Sequence, residues 1–400
     1  MFKKIKDCNV KNKIVFVRAD MNISIKNGKI IDDTRIRATI PTVEFLVKNG
    51  AKVVLTSHLG KAAGQGFQEE FSLKIVLERL KELMPNIHFN YSKDCIGEET
   101  KKDIQNTKFG EVILLENLRF HAGEEGNDPE FAKQLVETSG AEIYVNDAFS
   151  TCHRKHASMV GVPALLPAYA GFTLEEELEN LTKLVSNPQK PVMVMVGGSK
   201  VSTKLSLLQA LVKKANYIVV GGGMANTFLL AQGYNVGKSL KEDDLVNDAK
   251  ALLEDAKKNN CEVILPVDVV VAKEFKENAE CKNVKVSDVK DDDIIMDLGA
   301  ETIKSIENKL NSCKTVIWNG PIGVYEMTPF NKGTDDLAKY IADITEKGKI
   351  ESVAGGGDIL AAINASKVGD KFTYISTAGG AFLKWLEKGI LPAVEKIEVK

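Results

Sequence analysis

The chain has 400 residues, 44% of them hydrophobic, which is ample for a core and long for one domain, so two domains are the expectation. Its 53 basic and 55 acidic residues nearly cancel, leaving no field that would draw nucleic acid or an anionic membrane. No apolar run reaches membrane-spanning length and MFKKIKDCNV lacks a signal-peptide core; the six scattered cysteines, with no CxxC pair or metal-ligand rhythm, read as free thiols of a cytoplasmic protein.

Along the first half, the apolar runs KIVFVRAD, AKVVLTSHL, EVILLEN and IYVNDAF read as strands. Between the first two, TRIRATIPTVEFLVKNG keeps Ile36, Ile40, Val43 and Val47 at helical spacing with Gly50 beyond its end, and Pro41 predicts a kink or break. NDPEFAKQLVETSG predicts a helix capped by Asp128, opened by Pro129 and stopped at Gly140. TLEEELENLTKLVSN, residues 173–187, predicts a connecting helix with a Thr173–Glu176 capping box. In the second half, PVMVMVGG, YIVVGGG, EVILPVDVVVA, TVIWNGP, ESVAGGGD and FTYISTAGG follow as strands. Alternation of this kind predicts an α/β protein of two doubly wound, mostly parallel, Rossmann-like sheets with helices on both faces.

Parallel sheets bind ligands beyond the carboxyl ends of their strands, and the polar residues collect there. The six arginines all lie within the first 154 residues and the five histidines within the first 156. Arg18, Asp20, Asn22, His58, Asn117, Arg119, Asn146, Asp147, His153, Arg154 and His156 fall at strand ends of the first half. Such a basic lip suits a small, multiply charged anion, since guanidinium offers a bidentate fork to phosphate and carboxylate. Singly, each histidine reads more simply as a hydrogen-bonded structural residue; their joint placement favours binding. The second half places glycines at its strand ends instead: 197–198, 221–223, 320, 355–357 and 379–380. Backbone amides exposed by such turns, several opening helices, suit nucleotide phosphates, although a tight strand-to-helix turn also needs glycine. Asp358, after three glycines, is a candidate Mg²⁺ ligand or a helix cap. GGSKVSTK, residues 197–204, is not a Walker loop, which requires glycine directly before its lysine. A helix beginning near Ser202 would place Lys200 and Lys204 along one side of the chain.

These motifs, taken in order, resemble phosphoglycerate kinase over essentially the whole chain. RADMN, DDTRIRATIPT, TSHLG, LLENLRFHAGEEGND and NDAFSTCHRKHAS are followed by GGSKVSTK, GGGMANTF, WNGPIGVYE, GGGD and STAGGA. The resemblance implies a first domain, 1–172, that binds 3-phosphoglycerate or 1,3-bisphosphoglycerate, joined by the 173–187 helix to a second, 188–384, that binds ATP or ADP. A C-terminal tail of about 385–400 would pack back on the first. It implies that Asp20, Asn22, Arg35, His58, Arg119 and Arg154 bind the phosphoglycerate, with His153 and His156 supporting them. Arg35 and Lys204, assisted by Lys200 and by amides at Gly356, Gly357, Gly379 and Gly380, would neutralise the transferring phosphoryl as the domains close. Gly197, Gly221, Gly222, Leu298, Asn319, Glu326, Gly355, Gly356, Gly357 and Asp358 would form the nucleotide site, Glu326 at the ribose and Asp358 at the nucleotide's magnesium. The implied activity is reversible phosphoryl transfer in glycolysis by a monomer, without a general acid or base.

The chain departs from the family pattern at Lys61, where arginine is usual in the substrate loop, at Ser150 and Ala378, where glycine is usual, and at Met21, Ile23 and Ala393. Lys61 predicts weakened but surviving substrate contact, and Ala378 predicts crowding or a strained positive φ. None removes a charged catalytic group. The competing readings are a catalytically weakened relative that only binds nucleotide, distinguished by an ATP-formation assay, and a dinucleotide-dependent dehydrogenase, which GGGMAN fits poorly.

Overall fold

A computed structural model describes residues 2–399, which divide into two compact units, Met1–Glu179 with Ile390–Lys400, and Asn180–Gly389. The division falls within the connecting helix Phe172–Leu181 rather than at either of its ends.

The first unit is built on β1 (Ile14–Ala19), β4 (Lys52–Thr56), β5 (Phe89–Tyr91), β6 (Val112–Leu114), β7 (Ile143–Asp147) and β8 (Ala168–Ala170), with a two-strand ladder of β2 (Ile25–Lys26) and β3 (Lys29–Ile30) beside them. The six form one parallel sheet in the order β5-β6-β4-β1-β7-β8. Central strands β4 and β7 are buried at every residue, as expected of a sheet covered on both faces. One core gathers Val15 and Val17 of β1, Val53 and Leu55 of β4, and Ile36, Val43 and Leu46 of the helix Thr34–Lys48.

That helix runs unbroken through Pro41. Proline forfeits only the bond that its own N–H would make to Arg37 O, and the rest of the ladder continues; in the same stretch Thr39 Oγ1 donates to Arg35 O at 3.2 Å and Thr173 Oγ1 to Ala38 O at 2.6 Å. The helix Phe172–Leu181 begins one residue before Thr173, which therefore lies in its first turn and not at its N-cap; Asp147 Oδ1 accepts from Leu174 N at 3.2 Å. The helix Pro129–Ser139 follows its sequence signals, with Asp128 accepting from Glu130 N at 3.0 Å and Gly140 left-handed at φ 62°. The C-terminal tail returns to this unit: Lys3 N donates to Ile397 O at 2.9 Å and Ala393 N to Cys152 O at 3.2 Å.

The second unit centres on β9 (Val192–Val196), β10 (Tyr217–Val220), β11 (Glu262–Ile264), β15 (Thr315–Asn319), β16 (Glu351–Gly355) and β17 (Tyr374–Ser376), again parallel, in the order β11-β10-β9-β15-β16-β17. A separate antiparallel sheet, β13-β12-β14, comprises β12 (Asp268–Ala272), β13 (Cys281–Lys285) and β14 (Ile294–Leu298). EVILPVDVVVA is therefore not one strand. Pro266 ends the ladder by lacking a donor, and the two halves join different sheets. The core packs Met193, Met195, Val316 and Trp318 from the parallel strands against Leu337 and Ile341 of the helix Lys332–Glu346.

Candidate functional site

In the first unit, the carboxyl ends of β1, β4, β6 and β7 converge. Asp20 and Asn22 follow β1 and form a small lattice. Arg35 Nη1 lies 3.0 Å from Asp20 Oδ2 and donates to Asn22 O at 3.1 Å, while Asn22 Oδ1 accepts from Gly60 N at 2.8 Å. Ser150 adds an anchor that glycine would lack, donating to Asp20 Oδ2 at 2.5 Å.

Arg18 is fully buried and spent on the fold, bonding Ser158 Oγ at 3.0 Å and His58 Nδ1 at 3.1 Å. Because a guanidinium only donates, His58 Nδ1 accepts, which puts the ring hydrogen on Nε2. Burial, with Arg18, Arg119, His156 and Arg35 around it, holds His58 well below the ordinary histidine range. His156 falls to about 3, from burial and then from Arg119, Arg18, Arg154 and His153. Its 3.8 Å approach to Glu124 is therefore not an ion pair at neutral pH. These mutual fields place the sequence-selected Arg35, His58, Arg119, His153, Arg154 and His156 in one neighbourhood.

Arg119 is nearly buried, donating through Nη1 to Gly60 O at 2.8 Å and lying 3.1 Å by Nε from Glu125. That last contact is an ion pair without hydrogen-bond geometry. Lys61 and Arg154 are exposed. A carboxylate-pinned arginine, a buried arginine and neutral imidazole donors make a surface suited to an oxyanion.

In the second unit, the strand ends open onto a cavity of about 590 Å³. Of the expected residues, Gly197, Lys204, Gly222, Leu298, Asn319, Glu326, Gly356, Gly357, Asp358, Gly379 and Gly380 line it. Three helices begin at its wall, Gly223–Ala231, Gly357–Ala365 and Gly380–Lys388. Their N-caps, Gly222, Gly356 and Gly379, offer no side chain to the first-turn amides, which stay available to phosphate oxygens. Asp358 sits in the first turn of its helix and does not cap it. Gly356 adopts φ 116°, and a Cβ there would lie 2.5 Å from Asn319 Nδ2. Lys204 Nζ donates to Asn319 Oδ1 at 2.7 Å. Burial lowers the Lys204 ammonium below the ordinary lysine value, and Asp358 partly restores it.

Gly221, Gly355 and Lys200 stand apart from the wall. A Cβ on Gly221 would strike Ile322 and one on Gly355 the ring of Phe382, so these two glycines serve packing. Lys200 is exposed just before a turn; the following helix starts at Leu205, not near Ser202, and Lys200 and Lys204 share no helical side. Ala378 escapes the strain expected of it, since the positive φ of that loop, 50°, falls on Gly379. Sequence reasoning missed the apolar wall of Leu240, Pro266, Phe275, Met296 and Val324. It also missed Asp297, which is 3% exposed, accepts from Gly333 N at 2.7 Å and Leu298 N at 2.9 Å, and is pushed up to about 7 by burial.

Comparison with known proteins agrees with this geometry. A family model described as phosphoglycerate kinase matches residues 5–389. The phosphoglycerate kinase of Xanthobacter flavus is 50% identical over 398 residues, covering 99% of each chain, and that of Methylorubrum extorquens strain PA1 is 47% identical over 400. Among solved structures, the phosphoglycerate kinase from Coxiella burnetii superposes with a TM-score of 0.91 at 40% identity, covering 99% of both chains. The enzyme from Pyrococcus horikoshii OT3 gives 0.79 at 31% identity. A basic lip, a glycine-lined cavity and end-to-end similarity thus lead to one conclusion: the chain belongs to the phosphoglycerate kinase family.

Proposed function

We infer that the chain transfers a phosphoryl group reversibly from 1,3-bisphosphoglycerate to MgADP, giving 3-phosphoglycerate and MgATP, as a glycolytic, cytoplasmic, monomeric enzyme. The observation that carries this reading is the second unit's cavity, where three uncapped helix N-termini meet Lys204 and Asp358. In the first unit, Arg119, Arg154, His58, His153, His156 and Lys61 hold the phosphoglycerate, while Asp20 and Asn22 set Arg35.

The donor is an acyl phosphate, so its leaving group is a carboxylate that needs no proton at neutral pH. Neutral His58 and His156 accordingly orient the ligand as hydrogen-bond donors and hold no proton for transfer. The work left is positioning and countering charge on the phosphoryl oxygens. Arg35 contributes to this from the first unit and Lys204 from the second. Amides of Gly356, Gly357 and Gly380 add dipoles, Asn319 fixes the ammonium, and Gly197, Gly222, Leu298 and Glu326 seat the nucleoside.

The donor set suits Mg²⁺: an exposed carboxylate on a phosphate-binding helix turn supplies the single hard oxygen that this ion commonly takes from protein. Asp358 would hold it, and when bound it would neutralise phosphate charge. The retained Arg35, Lys204 and Asp358 speak against a silent nucleotide-binding relative. A coupled assay of ATP formation from 1,3-bisphosphoglycerate, with and without Mg²⁺, decides: absence of turnover at saturating substrates would sink this reading.

A further inference from the structure

In the first unit, a group of side chains belongs to neither substrate surface. Asp94 and Cys95 follow β5, and His121 follows the short turn Leu118–Phe120. One carboxylate oxygen, the sulfur and a ring nitrogen of these residues all lie within 4.8 Å of one another. His121 Nε2 is 2.6 Å from Asp94 Oδ1. Cys95 is 1% exposed, whereas the His121 and Asp94 side chains are 28% and 51% exposed. The sulfur is thus a floor and the other two groups a rim open to solvent.

The three are held in place by contacts of their own. Cys95 N donates to Asp94 Oδ1 at 2.6 Å, and the His121 ring stacks on Phe131 with centroids 5.2 Å apart. Glu124 N donates to His121 O at 3.1 Å, fixing the backbone behind the ring.

We propose that Asp94, Cys95 and His121 form a binding site for Zn²⁺, with one carboxylate oxygen, Nε2 and the thiolate sulfur as ligands and water completing a tetrahedron. An O, N, S set is the mixed donor shell that Zn²⁺ accepts; Mg²⁺ takes oxygen alone, so the site is separate from the metal of the reaction. Binding exchanges protons for the cation. The thiol proton leaves for solvent, and the neutral imidazole gives up the hydrogen between Nε2 and Oδ1 and carries one on Nδ1 instead, by exchange with solvent, which frees Nε2 for the cation.

The geometry sets a definite demand. Ligand atoms around a tetrahedral zinc, with bonds of about 2.0–2.3 Å, stand roughly 3.3–3.7 Å apart. Asp94 and His121 must therefore separate by about 0.7 Å from their 2.6 Å contact. Both sit on the rim, where they can shift to bring their ligand atoms to this spacing from each other and from the sulfur, which lies within 4.8 Å of each. A buried structural thiol beneath an ordinary His–Asp pair would make the same contacts but bind nothing.

The test uses the full-length protein, reduced with a phosphine, and titrates Co²⁺ as a spectroscopic probe before displacing it with Zn²⁺. The expected result is one Co²⁺ per chain with a thiolate-to-cobalt charge-transfer band that Zn²⁺ abolishes. Cys95→Ala should remove the band, and His121→Gln should weaken binding by at least about tenfold. His121 is partly exposed, so its variant stays informative if Cys95→Ala folds poorly. No saturable binding, a band that survives in Cys95→Ala, or an unchanged affinity in His121→Gln would overturn the assignment, the signal then belonging to another thiol such as exposed Cys281.

Discussion

Lys204→Met isolates one positive charge in the second unit. The ammonium is half-buried and pinned 2.7 Å from Asn319 Oδ1 at the wall shared with Asp358 and the glycine amides. A unit charge about 4 Å from a phosphoryl oxygen contributes roughly 4 kcal/mol at an effective dielectric near 20. Loss of one preorganised donor of this kind costs about 10²–10³ in turnover. The variant is therefore expected to lose about that factor in kcat, in both directions of a coupled assay, with little change in KM for ADP. Stability should stay close to the parent's: the fold already disfavours the charged lysine, whose pKa is lowered by burial, and Met keeps the stem's packing. Lys204→Arg restores charge on a bulkier head and should recover part of the loss. Undiminished kcat in the Met variant, or a loss confined to KM, would refute a role in stabilising the transferring group.

Lys61→Arg restores a guanidinium fork at an exposed position of the substrate loop and should lower KM for 3-phosphoglycerate severalfold; an unchanged or raised KM contradicts that. Gly356→Ala forces a side chain into φ 116° and against Asn319, so nucleotide affinity by calorimetry should fall at least about tenfold, and parental affinity would show that the turn adapts. Asp297, raised to about 7, costs the fold most when ionised, on the order of 4 kcal/mol above pH 7. Because the folded value lies above the unfolded one, that cost fades as pH falls from 7 towards 4. Asp297→Asn keeps one acceptor for the two N–H groups of Gly333 and Leu298 and so loses a bond at every pH, but it is spared the ionisation cost. Its melting point relative to the parent should therefore rise from pH 5 to pH 8, and a difference independent of pH contradicts the assignment.

Motif residues at parallel-strand ends were legible in the sequence because topology alone carries them to one edge: Asp20, His58 and Arg119 in one unit, Gly197, Asn319 and Asp358 in the other. What was not legible depends on chain excursions that periodicity does not encode. Pro266 splits one apolar run between two sheets, and that split brings Pro266, Phe275 and Met296 to the cavity. The break at Pro266 was the available signal. Lys200 and Lys204 look equivalent in GGSKVSTK, but a turn through residues 201–204 leaves only Lys204 on the wall. Asp94, Cys95 and His121 come from separate segments, so no spacing rule groups them.

His58 and His156, at the surface proposed for phosphoglycerate, carry no charge near neutrality, because burial and then the guanidinium neighbours hold both rings below the ordinary histidine range. The charge that Arg35, Arg119 and Arg154 give this surface is fixed and not tunable: guanidinium does not titrate in a living cell. Acidification that would recruit ordinary histidines into phosphate binding leaves these two rings as they were. Neither ring then contributes to a change of substrate affinity between about pH 5 and 8, whereas the ligand does, its phosphate taking up its second proton near pH 6. At these two positions the protein presents a constant field, and the metabolite does the titrating.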